Sequence, residues 1–481
     1  MFLIKFVYMS FMNKIFSFNP SNSLIHKVRF LFLCWLITLP FGSNLFQFSL
    51  GFMTIYPNLV LNIALFPFAL TTFKNFNKLE FLMIGFLLTW TITGIVMLGM
   101  NGGSKEALFD IRSLMMQFLI GTTLIGISKF IGKQSFVQLL TLGLRCFLVV
   151  LLCSGCVEFL TGIHFASYKT TELLELPVGN IFYAPMFVYQ NPNDFLVHII
   201  FIFLLLNVFD EKLRNQPVLK ALIILVIYIF SVFADSNFAK IICEMIIVVS
   251  ALEFFKDQYK KGMSKTVVMP YLCVFVCLII TVFSNPLFIG PKFKDGASYR
   301  LNGISIIEEN NNQISVLTAK EAFNQSKQIK VIEYLDSINT KSPNGSSNIR
   351  RNLILAGIDF IKSEPIFGIG PGGFASKLKY QKQKYYSGTQ KSPHNFPIEI
   401  ISQYGLFGWA YFISVLLIFT RLIKLRNKIN SKEKVALLLL FLSMPLLWMM
   451  PSAFLYLNIH CLFLPLILIQ LNMIAEKTTI E

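Results

Sequence analysis

Leu79–Gly99 reads LEFLMIGFLLTWTITGIVMLG, an apolar run with a single charged residue, Glu80. A helix rises about 1.5 Å per residue, so a run of this length crosses a hydrocarbon core about 30 Å thick. Similar runs recur on both sides of it, and twelve spans are read at 30–48, 54–73, 79–99, 112–129, 137–160, 195–209, 219–234, 238–255, 266–288, 404–422, 435–450 and 454–473. Over the 481 residues, 55% are hydrophobic and 14% charged, against about 25% charged in soluble domains. A membrane β-barrel would show alternating segments of about ten residues instead. The expected fold is therefore all-α, a polytopic membrane protein of about 12 transmembrane helices.

The net charge of +17 raises the question of nucleic acid, but the distribution of the charge answers it. With the N-terminus inside, the basic links fall on one side, as the insertion rule demands. They carry Lys74 and Lys78, Lys129 and Lys133, Lys212, Arg214 and Lys220, Lys256 to Lys265, and Arg421 to Lys434. No aromatic-basic nucleic-acid module is visible, and nucleic acid is not an expected partner. The expected division is a cytoplasmic amphipathic N-terminus (1–29), helices 1–9 (30–288), an extracytoplasmic loop (289–403), helices 10–12 (404–473) and a cytoplasmic tail (474–481). No small-residue cleavage site precedes the first span. The implied place is the plasma membrane, crossed many times, with both termini cytoplasmic.

All eight cysteines lie in apolar runs, so neither a disulfide framework nor a metal-ligand spacing is legible. Cys153 and Cys156 form a CxxC pair that reads as small packing residues inside a helix. No cofactor is expected. Arg145, about two turns into the fifth span, reads as snorkelling towards the cytoplasmic interface.

The polar segments are where chemistry is to be sought. From Lys292 to Lys391 the outer loop carries fifteen Lys/Arg against eight Asp/Glu, a balance of +7. An excess of positive charge on the outer face suits an anionic ligand, and equally suits a solvated loop with incidental lysines. Within it, the pattern from 348 to 360 is helical, with an apolar stripe of Ile349, Leu353, Ile354, Leu355, Ile358 and Ile361, expected on or near the membrane surface. Arg350 and Arg351 at its start are suited to bidentate contact with phosphate oxygens. GIGPGGF (368–374) is a turn whose amides, including those of Gly370 and Gly372, could cradle a phosphate, or it is simply a turn. His394, followed by Asn395, is the outer-loop side chain best able to take a proton near neutral pH. Asn191 stands in QNPND (190–194) before the sixth span, where helix capping also explains it. Lys240, at the outer end of the eighth span, is a boundary lysine with a functional or a snorkelling reading.

Together these pieces resemble the O-antigen polymerase/ligase superfamily of bacterial surface-polysaccharide assembly. The resemblance is carried by R(350)-x14-P(365)-x-x-G(368)-x-G(370)-P-G-x-F(374), HN at 394–395, and E-x3-Q-x-G-L-x-G-W at 399–409. It implies a metal-independent, GT-C-like membrane glycosyltransferase with a large, partly helical extracytoplasmic loop. Its partners would be a polyprenyl-pyrophosphate-linked glycan donor, a glycan acceptor and membrane lipids, with a flippase and a chain-length regulator alongside. By the same resemblance His394 is the base that deprotonates the acceptor hydroxyl, and Arg350 holds the pyrophosphate as charge develops on it. Lys240, Arg351, Gly370, Gly372, Asn395 and Asn191 complete the expected substrate-binding set. One departure stands out: Ser236-Asn237-Phe238 replaces the family's Ser-Arg-Gly, and Lys240 would have to supply the missing charge.

Overall fold

The structure, a computed structural model, describes residues 23–39, 48–50, 53–101, 105–161, 185, 187, 189, 192–234, 236–260, 306–310, 313–317, 345–380, 392–393, 395–450 and 461–480. The expected span at 266–288 lies outside them. The described chain is helical, apart from two short antiparallel hairpins, Phe48–Leu50 with Met53–Ile55 and Ile306–Asn310 with Gln313–Leu317.

In chain order the helices are α1 (Ser23–Thr38), α2 (Pro57–Thr71), α3 (Lys78–Asn101), α4 (Lys105–Phe130), α5 (Lys133–Thr161) and α6 (Pro192–Phe209). There follow α7 (Glu211–Arg214), α8 (Pro217–Phe233), α9 (Asn237–Lys260), α10 (Gly345–Ser363), α11 (Gly373–Tyr380), α12 (Phe396–Tyr404), α13 (Leu406–Leu425), α14 (Ser431–Leu447) and α15 (Phe463–Ile480). Among the described residues, five helices are long and apolar enough to cross a membrane: α3, α4, α5, α6 and α13. The apolar helices Pro57–Thr71, Leu219–Phe233 and Phe463–Glu476 are shorter.

Burial sorts these helices by role. Every residue of α6 from Phe195 to Phe209 is buried, which suits a helix that is apolar on all faces and surrounded by others. It packs against α5, α8, α9 and α14. On α13, by contrast, Leu406, Trp409, Ile413, Leu416 and Ile423 are all exposed, a face fitted to lipid. Small residues set the closest crossings. A Cβ on Gly126 of α4 would lie 2.4 Å from Ala69 Cβ of α2, and the Thr72 hydroxyl donates to both Ala69 O and Gly126 O there.

Polar residues tie the helix ends at the basic-link end of the bundle. Asn77 and Glu80 form a reciprocal capping box, with Asn77 Oδ1 accepting from the Glu80 amide and Glu80 Oε2 from the Asn77 amide. The same buried carboxylate pairs with Lys129 of α4 at 3.0 Å and accepts from Asn472 Nδ2 of α15 at 2.8 Å. Lys220 and Glu253 pair at 3.1 Å between α8 and α9. Arg145 does not snorkel: its guanidinium forms two hydrogen bonds with the Asp210 carboxylate. Asp210 also caps α7, so the charge inside the bundle is met by a partner instead of by water.

The expected helix at 348–360 is found as the longer α10, with a different partner from the one expected. Leu353, Ala356 and Phe360 face protein, joined by Ile369, Phe374 and Leu378, with Ile349 and Ile398 packed against them. Leu355, counted in the apolar stripe, is 40% exposed. The buried face is the one that carries Gly357, where a Cβ would stand 2.2 Å from Ile398 Cγ2. Helix α10 therefore packs on α12, and with α11 they form a second small core.

Candidate functional site

The local sequence explains how α10, α11 and α12 are joined. Ser363-Glu364-Pro365 ends α10, and three glycines at positive φ then turn the chain: Gly368 (+75°), Gly370 (+85°) and Gly372 (+65°). The Gly368 position demands glycine twice over, because a Cβ would also lie 2.4 Å from the Gln403 carbonyl. The turn then pairs with the end of α12. The Ile369 amide donates to Ser402 O, the Gly370 amide to Gln403 O, each at 2.9 Å, and the Leu406 amide to Ile366 O.

These bonds change the reading of the turn. The Gly368 and Gly373 amides donate to Glu364 O and Gly370 O, and Pro371 has no amide hydrogen. The Gly372 amide donates to Asp110 Oδ2 at 2.7 Å, a contact between residues 262 apart. A carboxylate of α4 thus occupies the place a phosphate would take. The amides of Gly370 and Gly372 hold the turn to the membrane helices instead of forming an open anion cradle.

Asp110 is 1% exposed and Glu399, on α12, is 4% exposed. Burial drives the Glu399 carboxyl well above the usual carboxylate range, and the negative charge of Asp110 adds to the rise. A hydrogen bond from the Ser392 hydroxyl to the carboxyl lowers it. One helical turn on, Gln403 is 2% exposed. Glu399 Oε2 and Gln403 Oε1 are both buried with no hydrogen-bond partner.

The expected site residues divide accordingly. Arg350 lies half-buried on α10 beside Ile349, and Arg351 is exposed. Asn395 caps α12, its Oδ1 accepting from the Ile398 amide at 3.2 Å. The first amide of α12, that of Phe396, donates to Trp448 O at the end of α14. His394 and Asn191 lie outside the described residues. Lys240 is half-buried in the first turn of α9, where its charge acts on Glu244 one turn further on. Helix α9 packs chiefly on α6, α8 and α14, whereas α11 and α12 rest on α4 and α13.

Residues 195–413 match the family model described as O-antigen ligase. The match supports the O-antigen polymerase/ligase superfamily. No curated protein matches the chain. The matched stretch runs from helix α6, through α10 and the glycine turn, into α13. It contains Lys240, Arg350, Arg351, Gly370, Gly372, His394 and Asn395, and supports polymerase or ligase activity in a membrane protein.

Sequence reasoning gave no role to Asp110, Glu399 or Gln403. The last two stood in the quoted E-x3-Q pattern, whose spacing puts them on one helix face. Asp110 lay just before an expected span with no local pattern to mark it. An overlooked cation, Arg112 of α4, donates to the Tyr56 hydroxyl at 2.9 Å. Among the described residues no group of three or more His, Cys, Asp or Glu is placed to hold a metal ion.

Proposed function

We propose that this protein polymerises polyprenyl-pyrophosphate-linked oligosaccharide repeat units into a surface polysaccharide at the outer face of the plasma membrane. The product class is a capsule, an O-antigen or a teichuronic acid. About twelve spans, with both termini cytoplasmic, place 289–403 on the outer side as a GT-C-like loop. The observation that carries this reading is the O-antigen ligase match, which spans membrane helices and polar segment together. The packing of α10, with Arg350 in its second turn, onto the helix capped by Asn395 supports it.

In this reading His394 removes the proton from the acceptor hydroxyl as its oxygen attacks the anomeric carbon. The bond from that carbon to the pyrophosphate oxygen breaks, and Arg350, with Arg351 and Lys240, stabilises the departing negative charge. No metal is required, because guanidinium and ammonium groups supply the positive charge. Asn191 and Asn395 belong to the substrate-binding set, and a flippase and a chain-length regulator work beside the enzyme.

The second reading is a ligase that moves finished polymer to a lipid or protein acceptor, favoured by the description of the matched family. A transporter would concentrate ionisable groups and broken helices near the bilayer midplane, whereas Arg350 and the glycine turn lie in the polar segment. Deleting the protein separates these readings: single repeat units accumulating on the lipid carrier indicate a polymerase, and long polymer on the carrier a ligase. The His394→Ala variant is expected to reproduce the deletion. Normal surface polymer in that variant would sink the catalytic reading.

A further inference from the structure

We propose that Glu399 Oε2 and Gln403 Oε1 form a subsite that accepts hydrogen bonds from the hydroxyl groups of a glycan sugar. This deepens the glycan-transfer reading and rests on it. The two oxygens belong to residues 4% and 2% exposed, one helical turn apart on the same face of α12. Neither of these two oxygens has a hydrogen-bond partner, although the Ser392 hydroxyl acts on the Glu399 carboxyl. An unsatisfied buried acceptor costs about 1–3 kcal/mol, and two on one helix face are a double cost that leucine or methionine would remove.

The surroundings define the ligand. Asp110 lies close enough to act on Glu399 electrostatically, and its own carboxylate already accepts the Gly372 amide. This face of α12 therefore offers acceptor oxygens and negative charge. It repels phosphate and suits a neutral molecule rich in O–H donors, such as a sugar ring. The arginines belong to a different element, α10, so the two chemistries of a lipid-linked glycan meet different helices: α10 suits the pyrophosphate and α12 the sugar. Backbone bonds hold Gln403 in place, because its carbonyl receives the Gly370 amide.

The test uses full-length protein in membranes and lipid-linked repeat units extracted from a strain lacking it. Glu399→Met and Gln403→Met keep the side-chain volume and remove the acceptors. Each is expected to raise the half-saturating concentration of repeat units about tenfold, the equivalent of one lost hydrogen bond to a buried group. The melting temperature without substrate should hold or rise, because a buried unsatisfied group has been removed. Glu399→Gln, which keeps an acceptor oxygen, should stay close to wild type in half-saturation. If wild-type protein lengthens the units and the methionine variants keep its half-saturating concentration, the subsite is wrong while the polymerase reading stands. A lowered melting temperature in both methionine variants also overturns it, since the oxygens would then belong to the packing. If wild-type protein does not lengthen the units, the polymerase reading fails and the subsite falls with it.

Discussion

Glu399 shows how one residue's surroundings reverse its usual contribution. A carboxyl in water has a pKa of about 4.3, and burial next to Asp110 lifts it well above that. Between the unfolded and folded values the folded protein holds a proton that the unfolded chain has released. Stability then falls as pH rises through that window. Glu399→Gln removes the titration. It is expected to raise the melting temperature over wild type at pH 7–8, with a smaller gain near pH 4–5. Thermal unfolding of the detergent-solubilised protein at the two pH values checks it, and a gain that is equal at both would show that Asp110 and burial do not govern this group. Glu399 was quoted in the sequence pattern, but its burial was not legible there. A glutamate followed by Ile400 and Ile401 reads as the exposed side of a short helix until α4 and the glycine turn cover it.

At the scale of elements, glycine decides which helices touch. Gly126 of α4 lies against Ala69 of α2, where a Cβ would be 2.5 Å from Ala69 Cα and 2.7 Å from its carbonyl oxygen. Backbone cannot step aside as a side-chain tip can. Gly126→Leu is therefore expected to destabilise the bundle by about 3 kcal/mol or more, read as a lower melting temperature and less protein in the membrane. Gly85 of α3 is the control, since nothing lies within 4 Å of a Cβ built there. Gly85→Ala should be neutral or better by the helix propensity of alanine, about 1 kcal/mol. Equal losses at both positions would show that the close crossing is not the cause. The helices themselves were readable from apolar run length and basic links. Their contacts were not, because a glycine at a crossing and a glycine facing lipid look alike in the sequence.

The described residues form a helical bundle and a smaller core made by α10, the glycine turn, α11 and α12. The proposed topology puts that small core on the side opposite the basic links. Lys362, just before the turn, and Asn427, in a basic link, are both exposed and serve as markers. In a background without native cysteines, Lys362→Cys should react with a membrane-impermeant maleimide on intact cells. Asn427→Cys should react only after permeabilisation. Labelling of both from the same side would overturn the proposed topology. The same experiment tests the setting of Arg350, because α10 carries both Arg350 and Lys362.

By itself the sequence determined the membrane-helical class, the basic links and the segment where the polar chemistry collects. Each of these is a local property: a run of apolar side chains or a charge count is complete within a few dozen residues. It also carried the resemblance that the family match supports, since the order of arginine, glycine turn, histidine and Gly-Leu-x-Gly-Trp is written along one stretch. Tertiary structure alone decided that the glycine turn keeps its amides for Asp110 and α12, that Arg145 pairs with Asp210, and that Glu399 and Gln403 are buried acceptors. Those outcomes depend on which distant helices come together. Asp110 meets Gly372 across 262 residues, and no pattern near either position encodes that meeting, because the energy that makes it comes from packing between elements.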